Sequence, residues 1–277
     1  MRRLARPQRR CQDRLVSRII TKNGYDLGYA ESGGGAATPV VFLHGVGSDK
    51  SVWHPQLEHF GRERRTVAFD YPGYGDSDPA PEGTTRDDYA SAIVSAMHEL
   101  RIDRAHVCGL SLGGVVAIAM HHADAQRCAS LILADTFAAH PDGQTVYERA
   151  IAASNDLRAM AEARVDVLHA QPAHPAVRAE VVETMARIEP AAYRIGAEAV
   201  WLADQHDRAH DIRVPTLVIC GTEDKVAPVA LSRELVRLIP GSIFEQVDQA
   251  GHLANLERPQ EFNTLVGAFI RGVDSRS

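Results

Sequence analysis

The chain has 277 residues, of which 45% are hydrophobic and 24% charged, proportions typical of a globular protein that folds in water. No stretch reaches the roughly 18 uninterrupted apolar residues that a membrane span needs, so we expect no membrane partner. The net charge is −6, and because seven arginines and Asp13 give residues 1–18 a charge of +6, the rest of the chain carries −12. Such an acidic body argues against nucleic acid as a partner, since phosphate binding needs a basic face.

The arginine-rich start, residues 1–18, is predicted to be a basic N-terminal extension, and residues 19–277 are predicted to form a single domain. The extension lacks the apolar core of about 7–15 residues that a secretory signal peptide contains. We expect a solvent-exposed segment without a role of its own. An arm that contacts nucleic acid or a membrane surface is the alternative.

The cysteines show neither a zinc-binding nor a C-x-x-C spacing; they are Cys11, Cys108, Cys128 and Cys220. Two of them, Cys108 and Cys220, stand in apolar runs that are typical of buried strands. We therefore expect reduced, packed thiols, no metal site, and a cytoplasmic protein.

Short runs of β-branched and apolar residues alternate with longer helical patterns along the chain. The predicted strands are 39–43, 66–70, 105–108, 130–133 and 216–220, and the predicted helices between them are 53–60, 85–100 and 112–123. This alternation predicts a parallel sheet that is covered by helices on both faces. In such a sheet, the loops at the carboxyl ends of the strands carry the chemistry.

The alternation stops between about residues 137 and 212, a segment rich in Ala, Arg and Glu that lacks a strand pattern and is divided by prolines. We predict several helices that form a cap over the sheet. Trp201, in the last of them, is a candidate for the wall of a substrate pocket, with ordinary cap packing as the alternative. His206 and His210 have the i, i+4 spacing of some zinc sites, but a solvated helix end explains them better.

Residues 109–113 read Gly-Leu-Ser-Leu-Gly, directly after a predicted strand and before a helical pattern. This G-x-S-x-G pattern is typical of a sharp strand-to-helix turn that presents a serine hydroxyl in strained backbone geometry. Glycines are needed two residues before and after the serine, because side chains there would collide as the turn closes. We predict that Ser111 is a nucleophile; a turn that merely packs small residues is the alternative.

A nucleophilic serine requires two N–H donors aimed at the oxyanion of its tetrahedral intermediate. One is expected from Leu112, the residue after the nucleophile. The other is expected from Val46, in the loop His-Gly-Val-Gly that follows the strand 39–43. A glycine-rich turn without a ligand is the alternative for that loop.

Serine also needs a base, and the base needs an acid that orients it. His252 follows the strand-like run Ile-Phe-Glu-Gln-Val near the C-terminus, where the chain order Ser, Asp, His places the base. Asp224 follows the strand 216–220 and is the predicted acid. Its neighbour Glu223 is interpreted as a solvated turn residue, whereas Asp135 is a serious rival because it also ends a strand.

Together these residues resemble the α/β-hydrolase superfamily from about residue 20 to residue 270. The similar phrases are H-G-V-G (44–47) with Trp53 beyond it, D-Y-P-G-Y-G-D-S (70–77), G-L-S-L-G-G (109–114), P-T-L-V-I-C-G-T-E-D (215–224) and A-G-H-L-A-N-L-E-R-P (250–259). The third and last phrases look most like those of 3-oxoadipate enol-lactonases and related small carboxylesterases. The basic extension is not part of the pattern, and the cap carries no family phrase.

The same comparison separates the chain from other members of the superfamily. Haloalkane dehalogenases and epoxide hydrolases use an aspartate where this chain has Ser111. Carbon–carbon bond hydrolases usually carry a longer H-G-x-G-P-G loop, whereas Gly47 is followed here by Ser48 and Asp49.

The resemblance implies an α/β-hydrolase fold, with a mostly parallel eight-stranded sheet flanked by helices and a helical cap at about 137–212. It implies a serine hydrolase that cleaves a small carboxylic ester or lactone through an acyl-enzyme, with Ser111, His252 and Asp224 as its triad. The substrate would be a small molecule, such as one from aromatic-compound degradation, and no metal or organic cofactor is implied. A cofactor-free perhydrolase or haloperoxidase, and a non-catalytic ligand-binding protein of this fold, are the alternatives.

Overall fold

A computed structural model of the protein describes residues 17–21 and 24–276. Residues 1–16 of the predicted N-terminal extension, and with them Cys11, lie outside the described residues. Within the described part of the chain, no helix combines the length and the apolar character needed to cross a bilayer.

Eight strands form one sheet in the order β1-β2-β4-β3-β5-β6-β7-β8. All pairs from β4 to β8 are parallel, whereas β2 pairs antiparallel with both β1 and β4. The strands are β1 Ser17–Ile20, β2 Asp26–Ser32, β3 Val40–Leu43, β4 Thr66–Phe69, β5 Ala105–Leu110, β6 Cys128–Ala134, β7 Thr216–Gly221 and β8 Ile243–Val247. The predicted α/β-hydrolase fold with its mostly parallel sheet is confirmed.

Helices cover both faces of this sheet. Those of the described residues are α1 His54–Phe60, α2 Arg86–Glu99, α3 Leu112–Ala123, α4 Gly143–Ala153, α5 Leu157–Leu168, α6 Pro175–Ala186, α7 Pro190–Trp201, α8 His206–His210, α9 Val229–Leu238, α10 Ala254–Glu257 and α11 Pro259–Asp274. The predicted helix 53–60 begins one residue later, because Lys50–Trp53 form a separate 3-10 turn. The predicted helix 85–100 becomes α2, for which Thr85 is the N-cap in a capping box with Asp88.

The central strands β3 to β7 are buried along their whole length, as their continuous apolar runs predict. Successive side chains of a strand point to opposite faces, so the sheet separates two apolar cores. In β3, for example, Val41 and Leu43 belong to the core under α2 and α3, whereas Val40 and Phe42 belong to the core under α1 and α11.

Helices α4 to α8 occupy the segment that the sequence assigns to a cap. An isolated antiparallel bridge between Ala139 and Asp204 brings the two ends of the segment together. Buried cap residues such as Val165, Tyr193 and Trp201 belong to the same apolar core as α2 and α3. The cap is therefore packed as a continuation of one core of the sheet.

A buried ion pair holds the loop after β4 against the loop after β3. Asp70 is fully buried at the end of β4 and accepts hydrogen bonds from the Lys50 backbone N–H (2.7 Å) and the Lys50 Nζ (2.5 Å). Lys50 Nζ also contacts Asp76, whose own N–H donates to Asp70 (3.0 Å). One ammonium and one carboxylate thereby fix the 70–77 loop that the sequence marks as a family phrase.

Replacing Lys50 by Met is expected to lower the free energy of unfolding by about 3 kcal/mol, because it leaves the Asp70 charge buried without its counter-ion. The measurement is urea denaturation at pH 7. The double variant Lys50→Met/Asp70→Asn is the control and should recover part of the loss, since it removes the stranded charge. A Lys50→Met protein as stable as the wild type would contradict this account of the ion pair.

Candidate active site

The predicted site residues lie at one edge of the sheet because the strands that precede them are parallel. Ser111 follows β5, Asp135 follows β6, Asp224 lies in the loop after β7 and His252 in the loop after β8. The loop that contains Val46 follows β3, which pairs with β5. Parallel pairing from β3 through β8 places these loops side by side.

Ser111 occupies a left-handed backbone conformation, with φ 55° and ψ −116°, at the N-cap of α3. A non-glycine residue adopts such a φ only when its surroundings impose it. Here its N–H donates to Ala134 O (3.0 Å), while its carbonyl accepts from the Thr136 hydroxyl (2.8 Å) and the Gly114 N–H (2.9 Å). The turn therefore holds the serine from both sides, as the sequence pattern predicts.

The glycines around the serine are required by close backbone contacts. A Cβ on Gly109 would collide with the carbonyl of Gly113, and a Cβ on Gly113 would collide with the carbonyl of Leu43. Gly114 faces the Thr136 side chain in the same way. The crowding ties the turn to β3 and to the residue after Asp135, so the nucleophile turn is fixed by both neighbouring strands.

The two amides predicted to form an oxyanion hole are free of other partners. Among the described residues, neither the Val46 N–H nor the Leu112 N–H donates to another backbone or side-chain atom. A Cβ on Gly45 would lie 3.5 Å from the Ser111 Cβ, so the Val46 loop passes directly beside the serine. Two N–H groups without an acceptor, beside one hydroxyl, are the donors that an oxyanion hole requires.

His252 and Asp224 form a buried hydrogen-bonded pair, with 2.9 Å between His252 Nδ1 and an oxygen of Asp224. When Nδ1 donates its proton to this carboxylate, Nε2 carries the lone pair that a general base needs. The His252 backbone N–H donates to the Leu168 carbonyl in the cap (2.8 Å), which fixes the loop that carries the ring. His252 and Ser111 line the same cavity.

The environment of Asp224 favours its charged form. Burial alone would raise the pKa of this carboxyl, but the nearby His252 and two backbone amides outweigh it and hold the pKa below its usual value. The second carboxylate oxygen accepts from the N–H groups of Val226 (2.7 Å) and Ala227 (2.9 Å). The neighbouring Glu223 is exposed, in agreement with its interpretation as a turn residue.

Asp135, the rival acid, is fully buried but does not bond to His252. One of its oxygens accepts from the Gly221 N–H (2.8 Å), and the other has no hydrogen-bond partner among the described residues. Burial, and then the charge of nearby Asp224, raise the pKa of Asp135 well above its usual value. A protonated Asp135 supports the start of the Asp224 loop, whereas the ionised Asp224 faces the imidazole.

Asp135 and Asp224, with Cys220, form a group in which one ligand atom of each lies within 4.8 Å of the others. Burial is the main reason that the pKa of the Cys220 thiol and that of the Asp135 carboxyl are raised, which favours the protonated form of both. The oxygens of Asp224 are already committed to two amides and to His252. The donor set suits a hydrogen-bonded support better than a metal ion, which needs deprotonated ligands.

A cleft of about 770 Å³, counting the part open to solvent, lies between the sheet edge and the cap. Ser111, His252, Val46 and Trp201 line it, while the Leu112 side chain is buried in the core. The remaining walls are mainly apolar and include Leu168, Val181, Met185, Val226, Leu253 and Leu256. Mainly apolar walls with a few polar groups are those of a site for a small organic molecule.

Two polar residues near the cleft were not found from the sequence. Glu257 accepts from the Gly251 N–H (2.7 Å) and the Ala170 N–H (2.9 Å), and so joins the His252 loop to the cap. Arg164 lines the cleft from α5. Four other arginines of the cap segment, Arg149, Arg158, Arg187 and Arg194, do not line it. Glu257 lies within the family phrase 250–259, and this phrase is the sequence signal that could have identified it. No sequence pattern indicates that Arg164 faces the cleft.

Comparison with known proteins agrees with the observed fold. A family model described as "Alpha/beta hydrolase family" matches residues 40–265. 3-Oxoadipate enol-lactonase 1 of Acinetobacter baylyi is 27% identical over 92% of this chain and 97% of its own length. Two solved structures, an enol-lactonase from Burkholderia xenovorans and a thermophilic esterase from Thermogutta terrifontis, each superpose with a TM-score of 0.85. They are 28% and 26% identical, covering 92% and 94% of this chain and 100% and 99% of their own.

As the pH rises, the Asp135→Asn variant is expected to become more stable relative to the wild type. The raised pKa of Asp135 means that the folded protein binds one more proton than the unfolded chain above the usual carboxyl pKa, so the wild type loses stability with rising pH in that range. The difference in unfolding free energy between variant and wild type should grow by up to about 1.4 kcal/mol per pH unit. Urea denaturation at pH 5 and pH 8 measures it, and a constant difference would contradict a protonated Asp135.

Proposed function

Because the chain belongs to the alpha/beta hydrolase family, we propose that it is a serine hydrolase that cleaves a small carboxylic ester or lactone through an acyl-enzyme intermediate. The triad would be Ser111, His252 and Asp224. The resemblance to enol-lactonases and to an esterase supports this substrate class.

In the first half of the proposed reaction, the Ser111 hydroxyl oxygen attacks the acyl carbon of the substrate while His252 takes its proton. Asp224 holds the imidazole through Nδ1 and stabilises the imidazolium that forms. The N–H groups of Val46 and Leu112 bind the oxyanion. When the tetrahedral intermediate collapses, His252 returns the proton to the leaving alkoxide, and the acyl group remains on Ser111.

In the second half, a water molecule gives its proton to His252 and attacks the acyl carbon. A second oxyanion forms beside the same two amides, and its collapse releases the acid as His252 protonates the Ser111 oxygen. In a lactone the alcohol and the acid belong to one molecule, so a single hydroxy acid is released. The apolar walls of the cleft limit the entry of bulk water and strengthen these interactions.

One observation carries the proposal. Ser111, whose backbone is held in the left-handed region, and His252, which is hydrogen-bonded to Asp224, line one cleft. Among the described residues, the N–H groups of Val46 and Leu112 have no acceptor. A carboxylate, an imidazole and a hydroxyl in that order form the relay that activates a serine.

Replacing Ser111 by Ala is expected to lower kcat for a short-chain p-nitrophenyl ester by at least about 1,000-fold, since no other group supplies the nucleophile. The starting point is a wild-type panel of p-nitrophenyl esters of graded length and several lactones, and the best substrate is then used for the variant. A Ser111→Ala variant with near-normal turnover would refute the proposal.

Labelling with a fluorophosphonate probe distinguishes an enzyme from a ligand-binding protein of the same fold. The wild type should react at Ser111, identified by mass spectrometry of the labelled peptide, and Ser111→Ala should not. A wild-type chain that neither reacts with the probe nor hydrolyses any member of the panel would favour the binding protein.

A matched pair of aspartate variants tests which carboxyl serves the imidazole. Asp224→Asn is expected to lower kcat/KM by about 1,000- to 10,000-fold, because the amide no longer selects the tautomer with a free Nε2. Asp135→Asn should stay within about tenfold of the wild type, since Asn resembles the protonated carboxyl that the pocket already holds. The opposite order of losses would assign the role to Asp135.

A further inference from the structure

Arg164 extends from the cap helix α5 into the cleft that Ser111 and His252 line. Its side chain is half-buried, and its guanidinium donates a hydrogen bond to the hydroxyl of the buried Tyr193 (3.2 Å). This bond directs the long side chain without neutralising its charge. The guanidinium is therefore positioned but still lacks an anion.

The placement of α5 connects the helix that carries Arg164 to the loop of the proposed base. Leu168 lies one helical turn after Arg164, on the same face of α5, and also lines the cleft. The carbonyl of Leu168 accepts the backbone N–H of His252 (2.8 Å), so the helix is fixed against the loop of the base. Arg164 stands only about 6 Å along the helix axis from that contact.

Other cap arginines that pair with acids do so outside the cleft lining. These pairs are Arg158–Glu183, Arg178–Asp166, Arg187–Asp49 and Arg208–Asp87. For Arg164, no carboxylate oxygen of the described residues lies within the 4.0 Å that defines an ion pair. Within the part of the chain that the structure describes, Arg164 is thus the one lysine or arginine that lines the cleft, and it has no protein counter-ion there.

The surroundings of Arg164 favour the binding of an anion. The cleft walls are mainly apolar, so an anion that binds Arg164 inside the cleft would be attracted more strongly than it would be in water. Glu180, the one acid of the cleft lining, is exposed to solvent and is not in ion-pair contact with Arg164. Its charge is therefore screened by water, whereas the half-buried guanidinium of Arg164 is less so and carries a planar set of donors.

We propose that Arg164 is a specificity-determining residue that binds a free carboxylate of the substrate, so that the chain acts on esters or lactones of carboxylate-bearing molecules. A guanidinium donates two parallel hydrogen bonds to a carboxylate, which fixes the orientation as well as the charge of the ligand. The inference rests on the proposed hydrolase function and specifies its substrate class. The carboxylate stays bound at Arg164 while the ester group, at the other end of the molecule, reaches Ser111.

The test compares charged and neutral esters of the same size. On the acyl side the pair is mono-p-nitrophenyl adipate and p-nitrophenyl heptanoate; on the alcohol side it is 4-acetoxybenzoate and its methyl ester. For Arg164→Gln we expect kcat/KM for the charged member of at least one pair to fall roughly 10- to 100-fold, mainly through KM. The neutral members should change by less than about threefold, because they make no ionic contact with Arg164.

Three further variants sharpen the comparison. Arg164→Lys keeps the charge but not the planar fork, and should lie between the wild type and Arg164→Gln. Arg149→Gln removes one positive charge from an exposed position on α4, outside the cleft, and should leave both ratios unchanged. Glu180→Gln removes the negative charge from the cleft lining and should raise the charged-to-neutral ratio.

An equal loss for charged and neutral esters in Arg164→Gln would overturn the inference in favour of a packing role. So would an unchanged ratio in both pairs. If Arg164→Gln does not fold, as judged by its circular dichroism melting curve, the ratio measured for Arg164→Lys decides between these outcomes. A wild type that hydrolyses the neutral esters supports the proposed function whatever Arg164 does, whereas a wild type inactive on every ester contradicts both.

Discussion

The turn between β5 and α3 is the constraint on which the site depends. An L residue at φ 55° is unfavourable. Ser111 stays there because its N–H donates to Ala134 at the end of β6 and its carbonyl accepts from Thr136 and Gly114. The surroundings of Gly109 and Gly113 leave no room for a side chain. The contacts that enforce this geometry come from β3 and from the residues after β6. The parallel sheet therefore fixes the position of the Ser111 hydroxyl. The same strand pairings place the Val46 loop and the Asp224–His252 pair relative to it.

The cap covers the cleft and also contacts the loop of His252, the general base of the proposed triad. Leu168 accepts the backbone N–H of His252, and Glu257 bridges the N–H groups of Gly251 and Ala170. A Cβ on Gly251 would meet the backbone of Leu168 and Ala170 at 2.7 Å, so the His252 loop and the end of α5 are in direct contact. Because α5 also carries the residues that would contact the substrate, selection of the ligand and orientation of the imidazole depend on one element. A change in the cap is then able to alter turnover without touching the reacting atoms.

Patterns within the chain were sufficient to predict the central strands, the nucleophile turn and the edge of the sheet where the candidate residues lie. Continuous apolar runs identify β3 to β7 because both faces of those strands are covered. Strands β1 and β2, at one side of the sheet, were not located individually, since β1 is half-exposed along its length and β2 includes Asp, Gly and Glu, which have low strand propensity. The roles of Arg164 and Glu257 were equally hidden, because the facing of a cap helix and the partners of a carboxylate are set by tertiary packing.

The choice between Asp135 and Asp224 illustrates the same limit and its physical basis. Both carboxyls follow adjacent parallel strands, so position in the chain does not separate them, and two carboxyls this close do not both ionise readily in a buried site. Hydrogen-bond donors decide between them: Asp224 receives two amides and the imidazole, whereas Asp135 receives one amide and leaves an oxygen unpaired. The pKa shifts in opposite directions therefore favour the negative charge on Asp224 and a neutral Asp135, which does not compete for the proton of the imidazole. The donors come from the turn that follows Asp224, so the backbone of that turn, more than the carboxyl itself, determines which acid faces His252.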